Sequence, residues 1–178
     1  RVGVGRGRGA RATAGANIGG GRITTCNDGT VRDVFFWQEM KKKAMEDKDE
    51  LARIRTSLER SLTGALKLEK ALLARWQQTP LRVRQMPVPS RVLLSNKISN
   101  THSVIEVNGR DFPGLLHKIT LCLAGLGLQI QTATVSTYGQ RVVDAFSVND
   151  IFGLQIQRAT PQQTIRHPLL AVSHDSPC

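Results

Sequence analysis

Aromatic side chains are scarce in this sequence: one Tyr, two Trp and five Phe make up 4% of 178 residues. Proteins that bind single-stranded nucleic acid stack bases on such rings between basic side chains, and no aromatic residues interleave with the Lys and Arg clusters here. Cysteine is also thin. Cys26, Cys122 and Cys178 stand far apart, with no second Cys or His at the short spacing of a zinc site, which predicts reduced thiols. No apolar run approaches the ~20 residues that cross a bilayer, and the amino end has arginines but no apolar block of a signal peptide. The expected compartment is the cytoplasm. Metal-dependent nucleotidyl transfer needs a Gly-Ser loop and paired aspartates, because cations must neutralise the transferring phosphates. That constellation is missing, so no self-sufficient catalytic site and no cofactor are expected.

Acidic residues are few, 14 against 25 Lys and Arg, which leaves a net charge of +11 and a pI near 10.4. Such a balance favours a polyanionic partner. The excess sits in the Gly/Arg start, in Lys41, Lys42 and Lys43, and in Arg75, Arg82, Arg84 and Arg91. One alternative reading is therefore a basic protein that binds polyanions such as nucleic acid, with affinity that falls steeply with salt. Without stacking platforms this is disfavoured. Residues 1–14 read as a disordered Gly/Arg-rich tail, and another alternative is a partial gene product without independent activity, because the sequence starts oddly at Arg1 and lacks a convincing last strand after Gln157.

What is there is organised. Residues 15–38 read as two strands around Asn27-Asp28-Gly29, a strong hairpin signal. Residues 39–78 switch to Lys, Glu, Ala, Leu and Arg, with Leu51, Ile54, Leu58, Leu62, Ala65, Leu72 and Trp76 three or four apart, the period of a long amphipathic linker helix. Gly64 weakens its middle by about 1 kcal/mol. Pro80, Pro87 and Pro89 then predict an extended Pro-rich linker over 79–100. A second module is expected over 101–173: a strand at Ser103-Val104-Ile105-Glu106-Val107, a helix from Phe112 stopping at Gly125 to Gly127, a hairpin around Tyr138-Gly139, and a last helix interrupted at Pro168. An internal repeat links the two ends. Asn17-Ile18 through Thr25, Gly29 and Asp33-Val34-Phe35 mirror Gln129-Ile130 through Thr137, Gly139 and Asp144-Ala145-Phe146, so the first copy is present without its leading strand and helix.

The stretch Gly109-Arg110-Asp111-Phe112-Pro113-Gly114-Leu115-Leu116 carries the chemistry. Asp111 is placed to cap the helix, Pro113 to sit in its first turn, and Gly114 to let a ligand or backbone come close. A helix start offers N–H groups and a positive dipole end to an anion, while a neighbouring carboxylate pairs with an ammonium. Together they suit an amino acid's zwitterionic head. On spacing alone, plain capping and packing are the more frequent use of such residues.

These residues, with Val135-Ser136-Thr137-Tyr138-Gly139 and Val142-Val143-Asp144, resemble an ACT domain. The fold this implies is α+β, a ferredoxin-like βαββαβ module preceded by a partial copy and a long linker helix. More closely, residues 96–153 with Asp33-Val34-Phe35-Phe36-Trp37 resemble the C-terminal tandem ACT region of the bacterial PII uridylyltransferase/uridylyl-removing family. The resemblance implies a glutamine sensor in nitrogen regulation, with PII as partner of the parent enzyme. The catalytic nucleotidyltransferase and HD phosphohydrolase domains, and the Mg²⁺ they use, would lie outside this chain. It further implies that Asp111 holds the α-ammonium, that the amides of Gly114 and Leu115 hold the carboxylate, and that Pro113 belongs to the same loop. Phe112, Thr134 and Ser147 depart from the basic residue, histidine and aromatic usual in that pattern. Edge pairing between modules makes a homo-oligomer an expectation.

Other motifs have blander readings. Asp47-Lys48-Asp49 has the spacing of a metal pair but lies in a charge-rich helix start, where a solvated face is expected. Gly3 to Gly9 lacks the flanking strand, helix and Gly-Lys-Ser/Thr of a phosphate loop. His174-Asp175 matches a phosphohydrolase dipeptide without its other ligands, and His117 and Cys122 read as packing residues.

Overall fold

The computed structural model describes residues 17–26, 28, 30–38, 52, 55–57, 59–60, 68–81, 84, 87–156 and 162–174. The Gly/Arg tail, the Asp47-Lys48-Asp49 pair, Asp175 and most of the expected helix over 39–78 lie outside them. The elements are β1 (Asn17–Thr25), β2 (Val31–Gln38), α1 (Leu68–Gln78), β3 (Arg91–Ser95), β4 (Ser103–Arg110), α2 (Leu115–Gly125), β5 (Gln129–Tyr138), β6 (Arg141–Asn149) and α3 (Gln162–His174). The chain is α+β: all six strands form one antiparallel sheet in the order β2-β1-β5-β6-β4-β3.

Period-two alternation decides which side of the sheet is buried. Ser103, Ile105, Val107 and Gly109 of β4 and Val142, Asp144, Phe146 and Val148 of β6 face the core, while their sequence neighbours are half-buried on the other side. Leu115, Leu116, Ile119 and Leu123 of α2 and Ile165 and Leu169 of α3 close over this face. Each such side chain contributes roughly 1.5–3 kcal/mol by leaving water. Helix α2 stops where glycine permits it: Gly127 has φ +73°, and the Leu126 and Gly127 amides donate to the carbonyls of Cys122 and Ala124.

Three expectations differ from the structure. Residues 79–100 are not linker throughout, because Arg91-Val92-Leu93-Leu94-Ser95 is an edge strand pairing antiparallel with β4, with Val92 fully buried. Pro87 and Pro89 fall before the pairing begins, where their missing N–H groups remove no sheet bond. A βαββαβ module would cover the β4 edge with a strand that follows its last helix. Here β3 takes that edge from the other side of the sequence, so the order is β3-β4-α2-β5-β6-α3. Helix α3 also runs unbroken through Pro168. The proline removes one donor, and Ile165 and Leu169 hold the helix to the core on either side of it.

The repeat is visible in the register. Ile23 stands opposite Asp33 in the first hairpin and Val135 opposite Asp144 in the second, and the pairing slips at Ile18/Gly20 and at Ile130/Thr132, which the repeat aligns. The hairpins then join edge to edge through β1 and β5. Arg22 pairs with Thr134, its own repeat equivalent, and Gly20↔Ser136 matches Thr24↔Thr132 on either side, so a local twofold relates the two hairpins.

At the start of β4 two loops are zipped together. Asn96 accepts from Ser103 Oγ at 2.7 Å and donates to the Ile156 carbonyl at 2.8 Å, while Gln155 donates to the carbonyls of Ser99 and His102 at 2.7 and 3.0 Å.

Candidate functional site

The loop that carries the candidate ligand residues is set by its two ends. Strand β4, held between β3 and β6, delivers the chain to Asp111, whose N–H donates to the Gln140 carbonyl at 2.8 Å and ties the loop to the β5–β6 turn. Gly139, in that turn, has φ +62°. Phe112 turns inward and is buried, and its carbonyl accepts the Leu115 N–H at 3.1 Å. Gly114 follows at φ +91° and ψ 0° as the N-cap of α2, a left-handed position where an L side chain is strained.

This differs from the expected start of the helix. No side chain caps α2, so Asp111 does not perform the capping role, and Pro113 precedes the helix instead of sitting in its first turn. The reason is the Phe112–Leu115 turn, which reverses the chain before the helix begins and leaves Gly114 as cap. Asp111, Pro113 and Gly114 are half-buried and adjacent, while the Leu115 side chain is 2% exposed in the core and offers the loop only its backbone.

The close approach that Gly114 permits is made by this chain. A Cβ at Gly114 would stand 2.7 Å from Cδ1 of Leu72, on α1. One turn further along α1, Trp76 packs edge-on against Phe112 with ring centroids 6.0 Å apart and planes at 62°. Lys118 places Nζ 5.7 Å from the centroid of the same ring. The Arg110 guanidinium donates to the Arg84 carbonyl, beyond the end of α1. Sequence reasoning placed Leu72 and Trp76 on the apolar stripe of the connector but had no signal that they cover this loop. Behind them lies a cleft lined by Trp76, Val88, Ser90, Arg110, Phe112, Ser173 and His174.

Among the described residues no group of three His, Cys, Asp or Glu converges. His174 lies at the exposed end of α3, and His117 is buried on α2. Burial pushes the Cys122 thiol above its ordinary value of 9.0, which keeps it protonated. No helix of the described residues is long and apolar enough to cross a membrane.

No family model matches the chain, and no solved structure matches it. Curated sequences do. The chain is 45% identical over 163 residues, 92% of its own length and 17% of the relative's, to the bifunctional uridylyltransferase/uridylyl-removing enzyme of Rhodospirillum rubrum. It is 44% identical over 163 residues, 91% of its length and 18% of the relative's, to the enzyme of that name from Azospirillum brasilense. The Gluconobacter oxydans enzyme is 40% identical over 170 residues, 95% of this chain and 18% of the relative. Identity at this level over nearly the whole chain, set against so small a share of each relative, identifies it as a homologue of one segment of the bifunctional uridylyltransferase/uridylyl-removing enzymes.

Proposed function

We propose that this segment is an amino-acid-sensing ACT region, with glutamine as its ligand, of a PII uridylyltransferase-like protein acting in nitrogen regulation. The observation that carries the reading is the loop at the start of α2, where the left-handed Gly114 caps the helix shortly after Asp111 in the chain and the loop is tied to the β5–β6 turn. In this reading Asp111 takes the α-ammonium, the Gly114 and Leu115 amides take the α-carboxylate, and Pro113 fixes the path between them. The positive end of α2 adds to the attraction for the carboxylate. The Leu115 N–H must leave the Phe112 carbonyl at 3.1 Å to do so, exchanging a neutral hydrogen bond for a stronger charge-assisted one.

The two register-matched hairpins related by a local twofold support a paired module over residues 15–38 and 101–173. Transfer and removal of uridylyl groups on PII belong, in this reading, to the rest of the polypeptide. The segment acts on them by shifting a conformational equilibrium, and glutamine shifts it only by its differential affinity for the two states. Isothermal titration of the chain with glutamine at moderate salt tests the assignment, with leucine and Asp111→Ala as controls. Saturable heat specific to glutamine and lost in the variant is expected; no heat from the folded chain removes the sensor reading.

A further inference from the structure

Two buried side chains of α1 meet the loop at the start of α2. Leu72 and Trp76 are 4% and 6% exposed, and they lie on Gly114 and Phe112; the Arg84 carbonyl just beyond α1 is held by Arg110. Residues 110–118, the stretch read above as the amino-acid loop, are thus the seat of the connector helix. With a leucine methyl 2.7 Å from the position of a Cβ on Gly114, that side of the glycine has no room for another atom while α1 is seated. A carboxylate brought there would also lose its hydration against an isobutyl group, which is costly without compensating hydrogen bonds.

Among the described residues the seat has no covalent tie. No disulfide joins the described cysteines, Cys26 and Cys122, and the contacts named above are two apolar side chains and one guanidinium–carbonyl bond. Elements held this sparsely open more readily than the core they rest on.

We propose that seated α1 and a bound amino acid exclude each other, so that α1 is a lid whose release is the output of the sensor. The proposal rests on the amino-acid reading of the loop and adds its regulation. A ligand that binds only the open form has its apparent affinity reduced by the fraction of molecules that are open. Shortening Leu72 weakens the closed form alone. It therefore tightens ligand binding, by at least about tenfold for a leucine this buried.

The test uses the whole chain with Trp37→Phe, so that Trp76 is the only tryptophan. Glutamine is titrated by calorimetry and by Trp76 emission into this background, into Leu72→Ala and into the conservative Leu72→Met. Expected are a red shift of Trp76 on binding, at least about tenfold tighter binding in Leu72→Ala with Trp76 already red-shifted, and near-background behaviour in Leu72→Met. Saturable binding with unchanged Trp76 emission and equal affinity in Leu72→Ala overturns the lid and leaves the site standing. Absence of binding in all three, with circular dichroism showing folded protein, removes the amino-acid site and the lid with it.

Discussion

Replacing Gly114 with alanine separates two effects that the structure superimposes on one atom. The first is backbone strain: at φ +91° an L residue costs roughly 1–2 kcal/mol relative to glycine. The second is steric, since the new Cβ meets Leu72 Cδ1 at 2.7 Å, and overpacking of this kind costs about 1–3 kcal/mol unless one partner moves. The strain cannot be relieved without rebuilding the start of α2. The clash can, by lifting Leu72 and with it α1. Urea unfolding followed by far-ultraviolet circular dichroism should therefore show a loss greater than the about 1–2 kcal/mol of the strain alone, because the seating of α1 is lost as well, and Trp76 emission should shift to the red before any urea is added. In a Leu72→Ala background the clash is already gone and only the strain remains, so a double-mutant cycle should give a coupling of at least about 0.5 kcal/mol between the two positions. Equal losses in both backgrounds, or Trp76 still buried in Gly114→Ala, would show that α1 does not rest on the loop.

Three further outcomes are expected. Asn96→Ala removes the bond from Ser103 Oγ at 2.7 Å and the Asn96 bond to the Ile156 carbonyl at 2.8 Å, and should cost about 1–3 kcal/mol in urea unfolding; a loss under ~0.5 kcal/mol would mean that water replaces them. The Thr30 N–H bond at 2.8 Å holds the Asp28 carboxyl below its ordinary 3.8, so its support of the β1–β2 turn is present above that value and is lost as pH falls through the lower folded value. The Thr30 amide resonance should follow that titration and be flat in Asp28→Asn, whereas a midpoint at or above 3.8 contradicts the geometry. Cys122, its thiol pushed up by burial, should react with iodoacetamide at pH 8 more slowly in the folded chain than in urea, as read by mass spectrometry; equal rates would place it in solvent.

How much of this was legible in the sequence depends on whether the determinant is local. The alternation of Ser103-Val104-Ile105-Glu106-Val107 and the Asp28 and Gly139 turns specify strands and hairpins from neighbours alone, and these stand where the pattern puts them. Arg91-Val92-Leu93-Leu94-Ser95 was not legible, because a five-residue edge strand with Leu93 partly in solvent has too short a pattern and lies beside prolines. The candidate loop was legible from Gly-Arg-Asp-Phe-Pro-Gly, yet the place of Asp111 and Pro113 relative to the helix was not, since the turn through Phe112 moves the helix start to Leu115. The cover was invisible. Nothing near Leu72 in the sequence names Gly114, and only the packed chain brings them together.

The early position of β3 also bears on how the sheet is assembled. A strand supplied after α3 would have to find β4 across the whole of α2, β5, β6 and α3, a closure of high contact order that delays folding. β3 and β4 form within residues 91–110, as a local hairpin that leaves the ribosome before any other strand of the module exists. The β4 edge that faces away from β6 thus has its cover next to it in the chain, which shortens the time it is bare to a neighbouring polypeptide.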